Sequence, residues 1–196
     1  VVDEFGTVFL FIRLSSIGDI IHTLPAVPLL KAQLPESTIT WVVEPAGAGL
    51  LAGYPGIDRV LLFPKQDITA SCRQGRVFRA FHRISEFVHE LRGAYYDIVP
   101  DFQGLFKSAA IMGAVRGRRK IGFSRAREGA PFFYTERVPS PDPETHGIQR
   151  NLALLSALGV TEFPVLFSRL FDERDAEHLS RILAAEGIDD SGTIVC

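Results

Sequence analysis

The sequence is short of several things, and each shortage excludes something. It has two cysteines, Cys72 and Cys196, in 196 residues. Two cysteines cannot build a disulfide framework, and neither stands in a C-x-x-C spacing that would hold a metal or run dithiol chemistry. Such usage suggests a reducing, cytoplasmic compartment. There is no charge excess either: 21 basic against 23 acidic side chains leave a formal net charge of −2. A general nucleic-acid binder would show a strong basic surplus, so no nucleic-acid partner is expected. Long apolar runs are missing. The run Val8 to Ile12 is closed by Arg13, far short of the ~20 residues of a membrane span and too short for a signal-peptide core. Walker loops, G-x-S-x-G elbows, H-E-x-x-H motifs, internal repeats and low-complexity tracts are all absent. His22, His82, His89, His146 and His178 show no ligand spacing and read as surface or cap residues. No metal or cofactor is therefore expected. An initiating Met is also missing, and the last residues, Thr193-Ile194-Val195-Cys196, read as the opening of a strand. The expectation is a piece of a longer protein.

What is present is enough apolar material for a real core, 46% of residues, arranged in alternating strand and helix patterns. Residues 7–14 form a continuous apolar, β-branched and aromatic run, as a parallel strand buried on both faces requires. Ser15-Ser16-Ile17-Gly18-Asp19 then supplies turn and N-cap chemistry. Further strands are expected at 38–43, 59–63, 96–101 and 120–123, with helices at 20–30, 46–52, 77–91, 106–115, 146–158 and 172–187. Residues 65–75 are polar and irregular and read as a mobile loop. In the helix over 77–91, Val77, Phe81, Ile84, Val88 and Leu91 mark the expected buried stripe. Alternation of this kind means a Rossmann-like, doubly wound α/β parallel sheet with right-handed crossovers.

In such sheets ligands bind beyond the carboxyl ends of the strands. Asp19, Glu44 and Asp101 all lie there. Asp19 falls in the first turn of a helix, where backbone amides favour the ionised form. Gly18 before it leaves room for a ligand to approach the backbone. A carboxylate so held is placed to act as a general base; it is equally a residue that caps its helix. Glu44, before Pro45, either orients a substrate hydroxyl or starts the next helix. Asp101-Phe102-Gln103-Gly104 precedes Lys107-Ser108 at a helix start, an arrangement suited to an anionic ligand or to simple capping.

Basic residues are unevenly spread. Arg73, Arg76, Arg79 and Arg83 lead into the long helix. Arg116, Arg118, Arg119, Lys120, Arg125 and Arg127 crowd a stretch that holds no acid. Unopposed cations repel one another unless phosphate or carboxylate is near, and arginine's planar fork suits both. An anionic membrane surface would be attracted by the same charge. Gly47-Ala48-Gly49-Leu50-Leu51-Ala52 matches the dinucleotide pattern, but it follows the second strand across Glu44-Pro45, and a carboxylate there opposes a pyrophosphate.

Arg13-Leu14-Ser15-Ser16-Ile17-Gly18-Asp19-Ile20-Ile21-His22-Thr23-Leu24-Pro25 closely resembles the opening motif of the family 9 glycosyltransferases, the lipopolysaccharide heptosyltransferases. Trp41-Val42-Val43-Glu44 is similar to their second strand, and Asp101 to Ala110 to another family signature. Ala126-Arg127-Glu128-Gly129 with Phe132-Phe133-Tyr134 resembles the heptosyltransferase I type. The likeness runs in order from about Val8 to Gly159.

The resemblance implies the GT-B architecture, two Rossmann-like domains facing a cleft. Residues 1–165 would be the N-terminal acceptor-binding domain. Residues 166–196 would be a linker helix and the first strand of the nucleotide-sugar domain. The implied reaction moves heptose from ADP-heptose to a Kdo residue of the lipopolysaccharide inner core, with inversion and no essential metal. It would run at the cytoplasmic face of a Gram-negative inner membrane, peripheral to it. Asp19 matches the family's catalytic base, and Ile17 and Gly18 would abut the donor. Ser15, Ser16, Glu44, Gln103, Lys107, Arg76 and Arg127 would face the Kdo-lipid A acceptor. Without the donor domain the chain alone would be inactive. Other readings are a heptosyltransferase II-like or other family 9 enzyme, a non-catalytic anion- or lipid-surface-binding module, and a dinucleotide-binding oxidoreductase domain.

Overall fold

The protein was analysed as a computed structural model that describes residues 6–168, 173–185 and 187. The expected strand at 193–196 lies outside them. Strand β1 (Val8–Ile12) leads through α1 (Ile17–Thr23) and α2 (Ala26–Gln33) to β2 (Thr38–Val43). A 3-10 turn (Pro45–Gly47) and the short α3 (Ala48–Leu51) follow, then β3 (Arg59–Leu62), α4 (Lys65–Arg73) and α5 (Val77–Leu91). The second half runs β4 (Tyr96–Pro100), α6 (Phe106–Ala114), β5 (Gly117–Phe123) and β6 (Glu136–Val138). Helix α7 (Gly147–Ala153) continues as a 3-10 segment (Leu154–Leu158), and α8 is Glu173–Ala185.

The strands form a six-stranded sheet in the order β3-β2-β1-β4-β5-β6, and every paired neighbour is parallel. This is the doubly wound α/β fold expected from the sequence. Alternation along β1 explains its uniformly apolar composition. Phe9 and Phe11 join a cluster with Ile20, Leu24, Leu51, Leu152 and Leu155 on one face. Leu10 and Ile12 join Phe87, Leu91, Ala109 and Met112 on the other. Successive side chains of a strand point to opposite faces, so a strand covered on both sides has no polar positions to show. The chain order reverses between β1 and β4, which meet at Phe9↔Ile98 and at the bridge Ile12↔Asp101. That reversal is the switch point at which open α/β sheets leave a crevice.

Three expectations are corrected. Residues 65–75 are not an irregular loop: nine of them form α4, which packs against α5. Of the expected stripe, Leu91 is buried and Val88 half-buried, but Val77, Phe81 and Ile84 are exposed, and α5 buries Ala80 and Phe87 in their place. Strand β6 has no counterpart in the sequence reading. It pairs with β5 and carries Glu136, which Arg119 grips through Nε and Nη2 at 3.0 and 2.8 Å. One of the six cations thought unopposed is therefore matched.

Candidate functional site

The loops after β1 and β4 meet at the switch point, and a cleft of about 570 Å³ opens between them. Its wall includes Arg13, Asp19, His22, Gln103, Arg127 and Arg150. The local sequence explains the shape. Ser16 is the N-cap of α1 with an extended backbone, and its N–H and hydroxyl donate to Asp19 Oδ2 at 3.2 and 3.1 Å. Across the seam, the Gln103 side-chain oxygen accepts the Leu14 and Ser15 N–H groups at 3.1 and 3.3 Å. Gly104, at φ +65°, turns the chain so that its carbonyl accepts the Arg127 N–H at 3.0 Å. The left-handed region is open to glycine without a Cβ penalty.

Asp19 is the acid of this cleft. Arg13 Nη2 sits 2.7 Å from Asp19 Oδ1, and Arg13 Nη1 donates to the Phe102 carbonyl. Partial burial works to raise the Asp19 carboxyl, but the Arg13 charge and the Ser16 bonds outweigh it and hold the group below its ordinary value. For Arg13 burial dominates and lowers its pKa, with Asp19 opposing that shift. An arginine remains charged under such a shift, so the pair is ionic at neutral pH. Ile17 and Gly18 are exposed beside the carboxylate, and nothing lies within 4 Å of where a Gly18 Cβ would stand.

His22 enters the site although the sequence reading placed it on the surface. It lies on α1 three residues after Asp19, lines the same cleft, and packs its ring 5.3 Å from that of His146. His146 caps α7 by accepting the Ile148 N–H on Nδ1 at 3.3 Å. A Cβ at Gly147 would come within 2.7 Å of His22 Nδ1, so this glycine makes the seat. The available signal was the i, i+3 spacing from Asp19, which puts both side chains on one helix face. Arg125, one of the six clustered cations, also lines the cleft, as do Arg13 and Arg150, which were not singled out for it.

Glu44 and Lys107 come together elsewhere. Glu44 is 8% exposed and paired to both Lys65, at 2.9 Å, and Lys107. Burial works to raise its carboxyl, and the two lysines prevail, leaving it below its ordinary value. With Lys65, Thr69 and Arg73 it lines a second hollow of about 330 Å³. Arg76 lines neither; it is the exposed N-cap of α5. Asp101 is an internal brace. It is 1% exposed and accepts the Gln103 and Gly104 N–H groups, each at 3.0 Å, with the Ser108 and Tyr134 hydroxyls at 3.0 and 2.8 Å. Burial nevertheless raises its pKa. Among the described residues no group of His, Cys, Asp and Glu is clustered to hold a metal.

Comparison with known proteins points one way. The family model for Glycosyltransferase family 9 (heptosyltransferase) matches residues 84–180. Lipopolysaccharide heptosyltransferase 1 of Pseudomonas aeruginosa is 32% identical over 154 residues, covering 75% of this chain and 41% of that protein. The Escherichia coli K12 protein of the same name is 28% identical over 154 residues, covering 75% and 46%. The chain thus spans less than half the length of these relatives. A solved E. coli heptosyltransferase WaaC with ADP-2-deoxy-2-fluoro heptose superposes with a TM-score of 0.72 at 27% identity, over 84% of this chain and 52% of that one. With its all-parallel sheet, this chain is similar to glycosyltransferase family 9, the heptosyltransferase family, whose model it matches over residues 84–180.

Proposed function

We propose that the protein transfers heptose from ADP-heptose to a Kdo hydroxyl of the lipopolysaccharide inner core, and that residues 1–165 form its acceptor side. The observation that carries this reading is the ionised Asp19 at the switch-point cleft, set among Arg13, Arg125, Arg127 and Arg150. The carboxylate, paired with Arg13, would accept a proton from a hydroxyl while Arg125, Arg127 and Arg150 on the cleft wall would hold the acceptor's own carboxylates and phosphates.

In the proposed step the Kdo hydroxyl gives its proton to Asp19. Its oxygen attacks the anomeric carbon of heptose opposite the diphosphate, the bond to ADP breaks, and the configuration inverts. Arg13 keeps Asp19 deprotonated, and Ser16 fixes the direction of the carboxylate. Ile17 and Gly18 are the exposed positions against which the donor would rest. Gln103 and Ser15 tie the two loops to each other, and Arg127 faces the acceptor. Glu44, Lys107 and Arg76 are assigned to the outer part of the acceptor. Residues 166–196 would lead to the donor-binding half, and this chain alone would not turn over. The site would work at the cytoplasmic face of the inner membrane.

Calorimetric titration of the chain with a soluble Kdo-bearing acceptor, and separately with ADP-heptose, tests the assignment. The acceptor should bind, and Arg127→Glu should abolish most of that heat. Tight binding of ADP-heptose with none of the acceptor would reverse the two halves.

A further inference from the structure

The α4–α5 hairpin has a tip with an unusual surface. Helices α4 and α5 are antiparallel, as shown by the 3.8 Å approach of Asp67, near the start of α4, to Arg83 in the second turn of α5. The turn between them is closed by the Arg76 N–H on the Ser71 carbonyl at 2.8 Å. Helix α4 begins at Lys65, which is bonded to Glu44 at the carboxyl end of β2, and α5 runs back to the start of β4. The tip, residues 73–81, therefore rises beyond the carboxyl ends of the strands, on the side where the cleft opens.

Water should not face what it carries. Phe78 is 92% exposed, Phe81 71% and Val77 65%. Around them stand Arg73, Arg76 and Arg79, all exposed and without an ion-pair partner among the described residues. No acid occurs between Asp67 and Glu86, and both of those are engaged by Arg83. A convex tip of aromatic side chains inside a ring of free arginines is complementary to one kind of partner: phenylalanine enters the acyl boundary of a bilayer while arginine meets anionic headgroups.

We infer that the α4–α5 tip seats the protein on an anionic lipid surface, with Phe78 and Phe81 inserted and Arg73 and Arg79 at the headgroups. The inference rests on the proposed function for its purpose, since an acceptor set in a bilayer has to be met at the surface. It does not rest on it for its test.

The chain is sedimented with vesicles of phosphatidylcholine alone and of phosphatidylcholine with phosphatidylglycerol. Binding should require the anionic lipid and weaken with salt. Arg79→Glu should reduce partitioning more than fivefold, because each cation at such a surface is worth roughly that factor. Phe78→Ser should reduce it roughly tenfold through lost apolar burial. Both side chains are exposed, so the thermal melts should match wild type. Equal binding to neutral vesicles, or Phe78→Ser binding as wild type does, would overturn the inference. A concentration-dependent dimer that Phe78→Ser abolishes would also overturn it, by giving the tip to a second copy. A soluble Kdo-bearing anion that displaces the chain from vesicles while Phe78→Ser has no effect would assign the arginines to acceptor alone, against the inference. No transfer is measured, so failure here leaves the proposed reaction standing, and failure of the reaction leaves vesicle binding intact.

Discussion

Replacing Asp19 by Asn separates the chemistry of the cleft from its architecture. Asn is nearly isosteric, and its oxygen still accepts the Ser16 N–H that now lies 3.2 Å from Oδ2. What disappears is the negative charge 2.7 Å from Arg13. Breaking a fully buried pair costs about 3–5 kcal/mol, and an exposed one about 0.2–1 kcal/mol. Here the Asp19 side chain is 45% exposed and that of Arg13 10%. Arg13 also keeps the Phe102 carbonyl. Water therefore takes over much of the lost partner's work, and the stability loss should be about 1 kcal/mol, near the exposed limit. For a chain of this size that lowers Tm by about 2–4 °C. Catalysis should suffer far more. General-base assistance is worth roughly 10²–10⁴-fold, about 3–5 kcal/mol of barrier. The assay is kcat/KM for transfer from ADP-heptose to a soluble Kdo-bearing acceptor by the full-length protein, run beside a thermal melt. A large rate loss over a small melting shift supports the base. Activity within tenfold of wild type would refute it, and a melting drop well beyond 10 °C would recast Asp19 as a brace.

The remaining predictions concern the groups around it. Because Arg13 holds the Asp19 carboxyl below its ordinary value, the acid limb of kcat/KM should lie below the usual carboxylate range, and Arg13→Gln should move it upward; an unmoved limb would detach Arg13 from the base. Gly147→Ala pushes a methyl against His22 Nδ1, so it should weaken acceptor binding while leaving ADP-heptose binding unchanged in the full-length protein; equal loss of both would mean a general distortion. Asp101 has the opposite linkage to Asp19. Its carboxyl is raised by burial, so the folded chain holds that proton more tightly than the unfolded one, and stability falls as pH climbs from the ordinary carboxylate range toward the raised value. Asp101→Asn should flatten that decline in pH-resolved melts, and parallel curves for both proteins would contradict it.

Much of the fold was legible because it depends on local pattern. The apolar run of β1, the turn chemistry at Ser16 and the strand–helix alternation each announce themselves within a few residues. What failed depended on distant partners. The end signals at Lys65–Arg73, Asp67 in the first turn and Arg73 in the last, are faint beside its polar composition; α4 is held chiefly by packing on α5. Periodicity identified α5 as amphipathic, but which part of its apolar arc is covered depends on the sheet beneath, and Ala80 was chosen over Phe81. The acids show the same limit. A carboxylate at a strand end can turn out to a ligand or in to the protein. Asp101 turns in because Ser108 and Tyr134 wait for it, 7 and 33 residues along. Asp19 was legible as a carboxylate at the strand-to-helix turn, whereas its partner Arg13 was hidden in what looked like the closing residue of a strand.

The central place of β1 has a consequence for how the protein is made. The earliest described strand to leave the ribosome acquires one neighbour at β2, but the other edge waits for β4, about ninety residues later. Until then that edge exposes the unpaired backbone of an apolar strand, which invites pairing with another chain. Such long-range closure is also slow. The crevice between β1 and β4 is thus finished only when the seam zips, and a nascent chain stalled short of Asp101 has neither a binding cleft nor a protected middle. Substitutions that delay zipping should therefore appear as lost yield before they appear as lost turnover.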